Sequence, residues 1–192
     1  MSDPVEVLDF WLDEVGPEGW YNGGEALDAE IRERFGDLWQ AAAEGGLDHW
    51  VAGPAATLAY LVLTDQFPRN MWRGQAKAFA TDGRALAAAR RAVAEGWDME
   101  APEPERQFFY LPFEHSEDPA DQAEAVRLIG TRMPETGAEN LLHARAHEEI
   151  IRRFGRFPFR NAALGRSATP EEQAFLDAGG YGAVVRAMQE QA

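Results

Sequence analysis

The feature that most constrains this chain is the helical spacing of its apolar residues, which recurs from the first segment onward. Leu8, Trp11, Leu12 and Val15 lie at the i, i+3, i+4 and i+7 positions of one helical face. No segment shows the alternation of apolar and polar residues, rich in β-branched side chains, that is typical of a strand. The sequence therefore predicts an all-α protein, a single-domain helical bundle of about 8–9 helices.

Proline and glycine mark the expected helix boundaries. Asp3-Pro4 and Asp118-Pro119 place a capping side chain before a proline, and Thr169-Pro170-Glu171-Glu172 has the spacing of a capping box. We expect Pro68 to end the third helix, because the residue before a proline is pushed out of the α region. To within about 2–4 residues, the predicted helices cover 3–15, 25–44, 54–67, 81–95, 102–110, 118–133, 138–154 and 169–178, with a last helix after Gly179-Gly180.

The amino-acid composition limits the expected cellular compartment and the expected classes of binding partner. The 192 residues include no cysteine, carry a formal net charge of −15 and are 45% hydrophobic. Such an acidic surface disfavours nucleic acid, since neutralisation of phosphates drives most of that binding. The amino terminus is acidic rather than basic, and the most apolar run, Ala55 to Leu63, is far shorter than a membrane span. We therefore expect a cytoplasmic protein without a membrane or nucleic-acid partner, and its oligomeric state stays open.

Two segments resemble each other and present arginine and asparagine after a proline. One reads Phe67-Pro68-Arg69-Asn70 and is followed by Arg73-Gly74, and the other reads Phe157-Pro158-Phe159-Arg160-Asn161 and is followed by Gly165-Arg166. Both can be helix exits in which arginine and asparagine satisfy free carbonyl groups. Alternatively, the two turns face each other, and Arg69 and Arg160 hold an anion between their guanidinium groups.

The same segments carry a family resemblance. The matching pieces are Asp65-Gln66-Phe67-Pro68-Arg69-Asn70 with Arg73-Gly74 and Ala78-Phe79-Ala80, then Phe108-Phe109-Tyr110-Leu111-Pro112-Phe113 with His115-Ser116-Glu117, and last His147 and Phe154-Gly155-Arg156-Phe157-Pro158 with Arg160-Asn161 and Leu164-Gly165-Arg166. With these motifs over most of its length, the chain resembles the bacterial family of uncharacterised proteins known as DUF924.

The resemblance implies a fold but no activity. It implies an all-helical structure similar to tetratricopeptide-repeat proteins, although the sequence lacks the consensus of that repeat at its characteristic period. The family usually has histidine between the second proline and the arginine, whereas this chain has Phe159. The resemblance therefore carries no proton-transfer role to that position.

Histidines supply the remaining candidate chemistry. His143 and His147 lie four residues apart on one helical face with Glu148 beside them, which is the spacing of a metal site. The spacing is a weak signal without a third ligand, so we predict no metal and no cofactor, and favour a hydrogen-bonded histidine. The loop from Glu114 to Asp118 either caps the next helix or supplies His115 or Glu117 as a general acid or base.

Three functions remain open from the sequence. The first is the binding of a small acidic metabolite in a polar pocket, and the second is an enzyme that uses the same pocket with His147 or His115 as base. The third is a peptide- or protein-binding module with a concave helical surface. The residues predicted to line the pocket are Asp65, Arg69, Asn70, Arg73, His115, Glu117, His147, Arg160 and Asn161.

Overall fold

A computed structural model describes residues 3–190 and confirms the all-α prediction. Of the described residues, 74% are helical, and no strand occurs among them. None of the described helices is long and apolar enough to cross a membrane. The chain divides into two compact units, an N-terminal unit that ends at Pro112 and a C-terminal unit that begins at Phe113. The assignment of a single domain to residues 1–192 stays a prediction.

Within its described residues, the N-terminal unit contains six α-helices, and a π-helical segment, Asp9–Val15, lies between the first two. Their bounds are α1 (Pro4–Leu8), α2 (Gly16–Trp20), α3 (Glu25–Ala43), α4 (Pro54–Leu61), α5 (Phe67–Met71) and α6 (Asp82–Glu95). The predicted fifth helix over 102–110 is instead a 3-10 helix, Glu105–Phe109, and further 3-10 turns are Asp48–Trp50, Ala76–Phe79 and Trp97–Glu100. A short helix, α7 (Leu111–Glu114), lies at the junction of the two units.

An aromatic cluster forms the core of the N-terminal unit. The Phe67 ring lies 4.9 Å from that of Phe35 and 5.4 Å from that of Trp11, measured between centroids. All three side chains are almost fully buried. Trp11 from the π-helical segment Asp9–Val15 and Phe35 from α3 therefore meet at Phe67.

The prediction that Pro68 ends the third helix is wrong. The helical segment continues from α4 through a π-helical turn, Val62–Gln66, into α5, which ends at Met71. Proline inside an α-helix removes a hydrogen bond, and its ring clashes with the carbonyl group four residues earlier. Because the wider π-helical turn lies directly before Phe67-Pro68, the proline falls in the first turn of a new α-segment, where it is tolerated.

The C-terminal unit follows the predicted helix boundaries closely. Its helices are α8 (Pro119–Arg132), α9 (Ala138–Phe154), α10 (Pro170–Asp177) and α11 (Gly180–Gln189), with a 3-10 turn at Pro158–Arg160. The Asp118 side chain caps α8, Gly155 ends α9 with a φ of +66°, and the capping box predicted at Thr169 is present. One cluster of its core consists of Ile150, Ile151, Phe157 and Phe175.

Candidate functional site

The first arginine-asparagine turn binds a carboxylate of its own unit. The Asn70 side-chain amide donates to Oδ1 of Asp28 at 2.9 Å, and Arg73 donates to both oxygens of the same carboxylate. Burial by itself raises the pKa of Asp28, but the hydrogen bonds from Arg73 and Asn70 outweigh it and hold the pKa below its usual range. Asn70 and Arg73 thus join α5 and its following turn to α3.

Arg69 is also engaged within the N-terminal unit. Its guanidinium donates to the carbonyl oxygen of Ala78, forms an ion pair of 2.9 Å with Asp82, and lies 4.7 Å from the centroid of the Phe79 ring. The fully buried carboxylate of Asp65 lies 3.8 Å from the same guanidinium. Asp65 and Arg69 therefore belong to one internal network.

The second turn is held by two carboxylates of the C-terminal unit. Glu117 accepts two hydrogen bonds from Arg166, at 2.7 and 2.9 Å, and a third from the backbone amide of Phe157. Burial raises the pKa of Glu117, but the bonds from Arg166 and Phe157 leave it below its usual range. The Glu117 carboxylate is thus a structural anchor for the turn that begins at Phe157.

Glu172 is the second anchor of this turn. Its carboxylate binds both sides of the Arg156 guanidinium, at 2.6 and 2.8 Å, and accepts from the backbone amide of Thr169 and from the side chain of Asn161. The bond to Arg156, followed by that from Thr169, lowers the pKa of Glu172 to about 2. Asn161 is therefore tied to the start of α10.

The similarity of the two turns is thus one of structural role. In each unit, the asparagine contacts a carboxylate that an arginine of the same unit clamps, Asp28 in the first and Glu172 in the second. Arg160, which is buried, donates to the carbonyl oxygen of His115 and lies 4.4 Å from the centroid of the Phe157 ring. Arg69 and Arg160 belong to different units, and a common anion site between them stays a prediction.

The contacts of Arg69 lead to a testable expectation. Lysine cannot reproduce a guanidinium that binds a carbonyl group and a carboxylate together while it stacks on Phe79. We expect Arg69→Lys to lower the free energy of unfolding by about 1–3 kcal/mol, the value of hydrogen bonds to a charged group. Chemical denaturation in an anion-free buffer measures this loss. An unchanged stability, together with a weaker stabilisation by added anions, would instead favour an anion-binding role for Arg69.

The strongest candidate for chemistry is the environment of His147 in the C-terminal unit. Nδ1 of His147 lies 2.6 Å from Oε1 of Glu114 and 3.1 Å from the carbonyl oxygen of His143. An ionised carboxylate and a carbonyl group are both acceptors, so Nδ1 carries the proton. Nε2 of His147 makes no hydrogen bond to any part of the chain that the structure describes. In the neutral ring, this nitrogen therefore offers a lone pair.

Aromatic rings fix the plane of the His147 imidazole. The centroid of the Tyr181 ring lies 4.8 Å away at 31°, and that of Phe157 lies 5.3 Å away, nearly perpendicular. The Tyr181 hydroxyl group is hydrogen-bonded to Nδ1 of His143. Burial, followed by the negative charge of Glu114, raises the pKa of Tyr181, so its phenol is protonated at neutral pH. This histidine is held in one orientation by its carboxylate and its neighbours.

The other polar groups of the 114–118 loop lie further from this nitrogen. The His115 ring lies 6.4 Å from the His147 ring, between centroids. Asp118 caps α8, and Ser116 binds Asp121, so this part of the loop has the capping role that the sequence left open. Among residues 3–190, no group of three or more histidine, aspartate or glutamate side chains is arranged to hold a metal ion.

Comparison with known proteins supplies the family. A family model described as a bacterial protein of unknown function, DUF924, matches residues 7–180. The chain belongs to the DUF924 family. A solved structure of the protein of unknown function ATU0120 from Agrobacterium tumefaciens is 43% identical, with a TM-score of 0.84 over 90% of this chain and 96% of that one. No curated protein matches this DUF924 member.

Two residues of this DUF924 site were absent from the predicted set. Glu114 adjoins the predicted His115, but nothing in the sequence indicates that its side chain reaches the helix that carries His147. Tyr181 follows the Gly179-Gly180 pair at the start of α11, and only the packing of α11 on α9 brings it to His147. The available signal was a partly apolar helix face with two histidines four residues apart, and in the structure Nδ1 of His147 lies 3.1 Å from the carbonyl oxygen of His143.

Proposed function

We propose that this protein is an enzyme in which His147 acts as a general base. The observation that carries the proposal is the pairing of His147 Nδ1 with the buried carboxylate of Glu114, while Nε2 has no hydrogen-bond partner among residues 3–190. Such a carboxylate selects the tautomer, orients the ring and stabilises the imidazolium that forms when Nε2 takes a proton. The reaction class that fits is hydrolysis, in which Nε2 removes a proton from an attacking water.

Each neighbour has a defined role in this proposal. Glu114 holds the proton of Nδ1 in place and compensates the positive charge on the ring after proton transfer. Tyr181 and Phe157 restrict the imidazole to one plane, so Nε2 keeps one direction. Glu117 is not retained as a base, because Arg166 and the Phe157 amide occupy both of its oxygens. The His115 ring centroid lies 6.4 Å from that of His147, so His115 stays the second candidate for a general acid or base in this proposal.

Binding of an acidic metabolite and binding of a peptide or protein stay alternative proposals. Binding of an acidic metabolite would need arginine donors, and the guanidinium groups of Arg69, Arg73 and Arg166 already bind carboxylates. Peptide binding would need a repeat-like concave surface, and a tetratricopeptide-like arrangement is itself a proposal that rests on resemblance. We also propose a cytoplasmic location, which fits a chain without cysteine and with a net charge of −15.

Nitrogen NMR of protein labelled at histidine tests the orientation of the base. We expect His147 to populate the neutral tautomer with the proton on Nδ1, because both groups that contact Nδ1 are acceptors. Exposed His49 in the N-terminal unit serves as the internal reference for an unconstrained ring. In Glu114→Ala, the fraction of neutral His147 rings that carry the proton on Nδ1 should fall toward the fraction measured for His49. A neutral wild-type His147 that carries its proton on Nε2 rather than on Nδ1 would exclude the proposed role.

A further inference from the structure

The second oxygen of the Glu114 carboxylate is buried and has no donor. Glu114 is 3% exposed, and its Oε1 binds His147, while Oε2 has no hydrogen-bond partner among the described residues. A buried carboxylate oxygen without a donor is costly, and native proteins rarely leave one unexplained. Because Oε1 and Oε2 belong to one carboxylate, the unsatisfied acceptor lies directly beside the proposed base.

Aromatic rings surround the His147 imidazole, to which Glu114 is bound, and the Phe159 ring among them is exposed. Phe159 is 40% exposed, although it is a large apolar side chain. Its ring lies 5.2 Å from that of Phe157, 6.1 Å from that of Tyr181 and 6.5 Å from that of His147, between centroids. The faces of such rings are negative and attract cations as well as apolar groups. Phe157, Phe159 and Tyr181 thus form an aromatic wall, exposed at Phe159, beside the imidazole that Glu114 binds.

The charges around this wall favour a positive ligand. The Arg166 guanidinium is bound to Glu117, and the Arg160 guanidinium donates to the His115 carbonyl and interacts electrostatically with Glu117. No cation among the described residues pairs with Glu114 other than His147, which is neutral when it acts as a base. Burial and, after it, the negative charge of Glu114 raise the pKa of Tyr181, so the charge of Glu114 also acts on this ring.

We propose that this site binds small primary amines in their ammonium form, with the ammonium group at Oε2 of Glu114 and an apolar body against Phe159 and Tyr181. The inference names the substrate class of the proposed enzyme and in that sense rests on the proposed function. An ammonium group supplies the N–H donor that Oε2 lacks, a positive charge for the carboxylate and a cation for the aromatic faces. The acidic metabolite predicted from the sequence has none of these properties.

Three probes of matched shape test the inference without requiring turnover. Binding of phenethylammonium, 2-phenylethanol and phenylacetate is measured by calorimetry, and the nitrogen resonances of His147 report whether each probe reaches the site. We expect phenethylammonium to bind at least about tenfold more tightly than the alcohol, a difference of about 1.4 kcal/mol. Phenylacetate should bind more weakly than the alcohol, because its charge has the same sign as that of Glu114.

Substitutions test which side chains cause the preference for the ammonium probe. Glu114→Gln should reduce the advantage of the ammonium over the alcohol to less than about threefold, since the charge is lost. Phe159→Ala should weaken the binding of both probes. Glu149→Gln is the matched control, because Glu149 also lies on α9 but binds Arg152, and it should leave the ratio unchanged. If Glu114→Gln fails to fold, two other results test the inference. They are the ratio of ammonium to alcohol affinity in the wild type and the loss of probe binding in Phe159→Ala.

The outcomes separate this inference from the proposed function. Equal binding of the three probes, tighter binding of phenylacetate, or no binding below about 10 mM would each overturn the ammonium site. An unchanged preference for phenethylammonium over 2-phenylethanol in Glu114→Gln would also overturn the ammonium site. Specific ammonium binding in a protein that catalyses no reaction would support the site and refute the enzyme.

Discussion

Replacing His147 with glutamine is expected to reduce turnover by about 10²- to 10⁴-fold, the usual contribution of a positioned general base. The substrate is to be found in a panel of chromogenic esters, amides and phosphoesters, weighted toward those with a primary amine. Glutamine retains hydrogen-bonding capacity and approximate size but cannot accept a proton from water at neutral pH. The loss should therefore appear in kcat rather than in the stability of the fold.

The control for this variant is His49→Gln. His49 is exposed in the N-terminal unit, so its replacement removes one histidine without touching the site. We expect wild-type turnover from this control and a cooperative unfolding transition from both variants. Turnover in His147→Gln within threefold of the wild type would show that His147 is not the base. A wild-type protein inactive toward the whole panel would rule out the proposed hydrolysis of these bond classes.

Replacing Glu172 with glutamine is expected to lower the free energy of unfolding by about 3 kcal/mol at neutral pH. Breaking a buried ion pair by removing one partner costs about 3–5 kcal/mol. The Arg156 side chain is 29% exposed, so water can solvate it in the variant. The lower end of the range therefore applies. Glu172 also anchors the amide of Thr169 and the side chain of Asn161. The variant should loosen the second turn together with the start of α10.

The effect of Glu172→Gln should depend on pH. The pKa of Glu172 is lowered from 4.5 to about 2 in the folded protein, so its ionised form favours the folded state. This contribution is fully present above about pH 4.5 and is lost as the pH falls toward 2. Urea unfolding of the variant and the wild type should therefore converge between these values.

Glu171 supplies the control for the Glu172 variant. It is the adjacent residue and is exposed, so Glu171→Gln should change the free energy of unfolding by less than about 0.5 kcal/mol. A loss in Glu172→Gln that is equally small would show that the ion pair with Arg156 contributes little. A large loss that persists unchanged down to pH 2 would show that the charge of Glu172 is not its source.

The sequence indicated only some of the residues of the candidate site. The spacing of His143 and His147 predicted two imidazoles on one helical face, and the contact of His147 with the His143 carbonyl was not part of that prediction. Glu114 and Tyr181 lie 33 and 34 residues from His147 along the chain, and no local pattern connects them. Distances between side chains from α7, α9 and α11 depend on helix packing, which short-range periodicity does not specify.

The sequence alone determined where most helices begin and end, because capping side chains, prolines and left-handed glycines act on the nearest turn of backbone. The capping box at Thr169 and the end of α9 at Gly155 are such cases. Tertiary structure decided the course of the chain at Pro68, where a buried Phe67 and a π-helical turn keep the helix running. It also decided the partners of the arginines, because a charge pairs with whichever carboxylate the fold brings within reach.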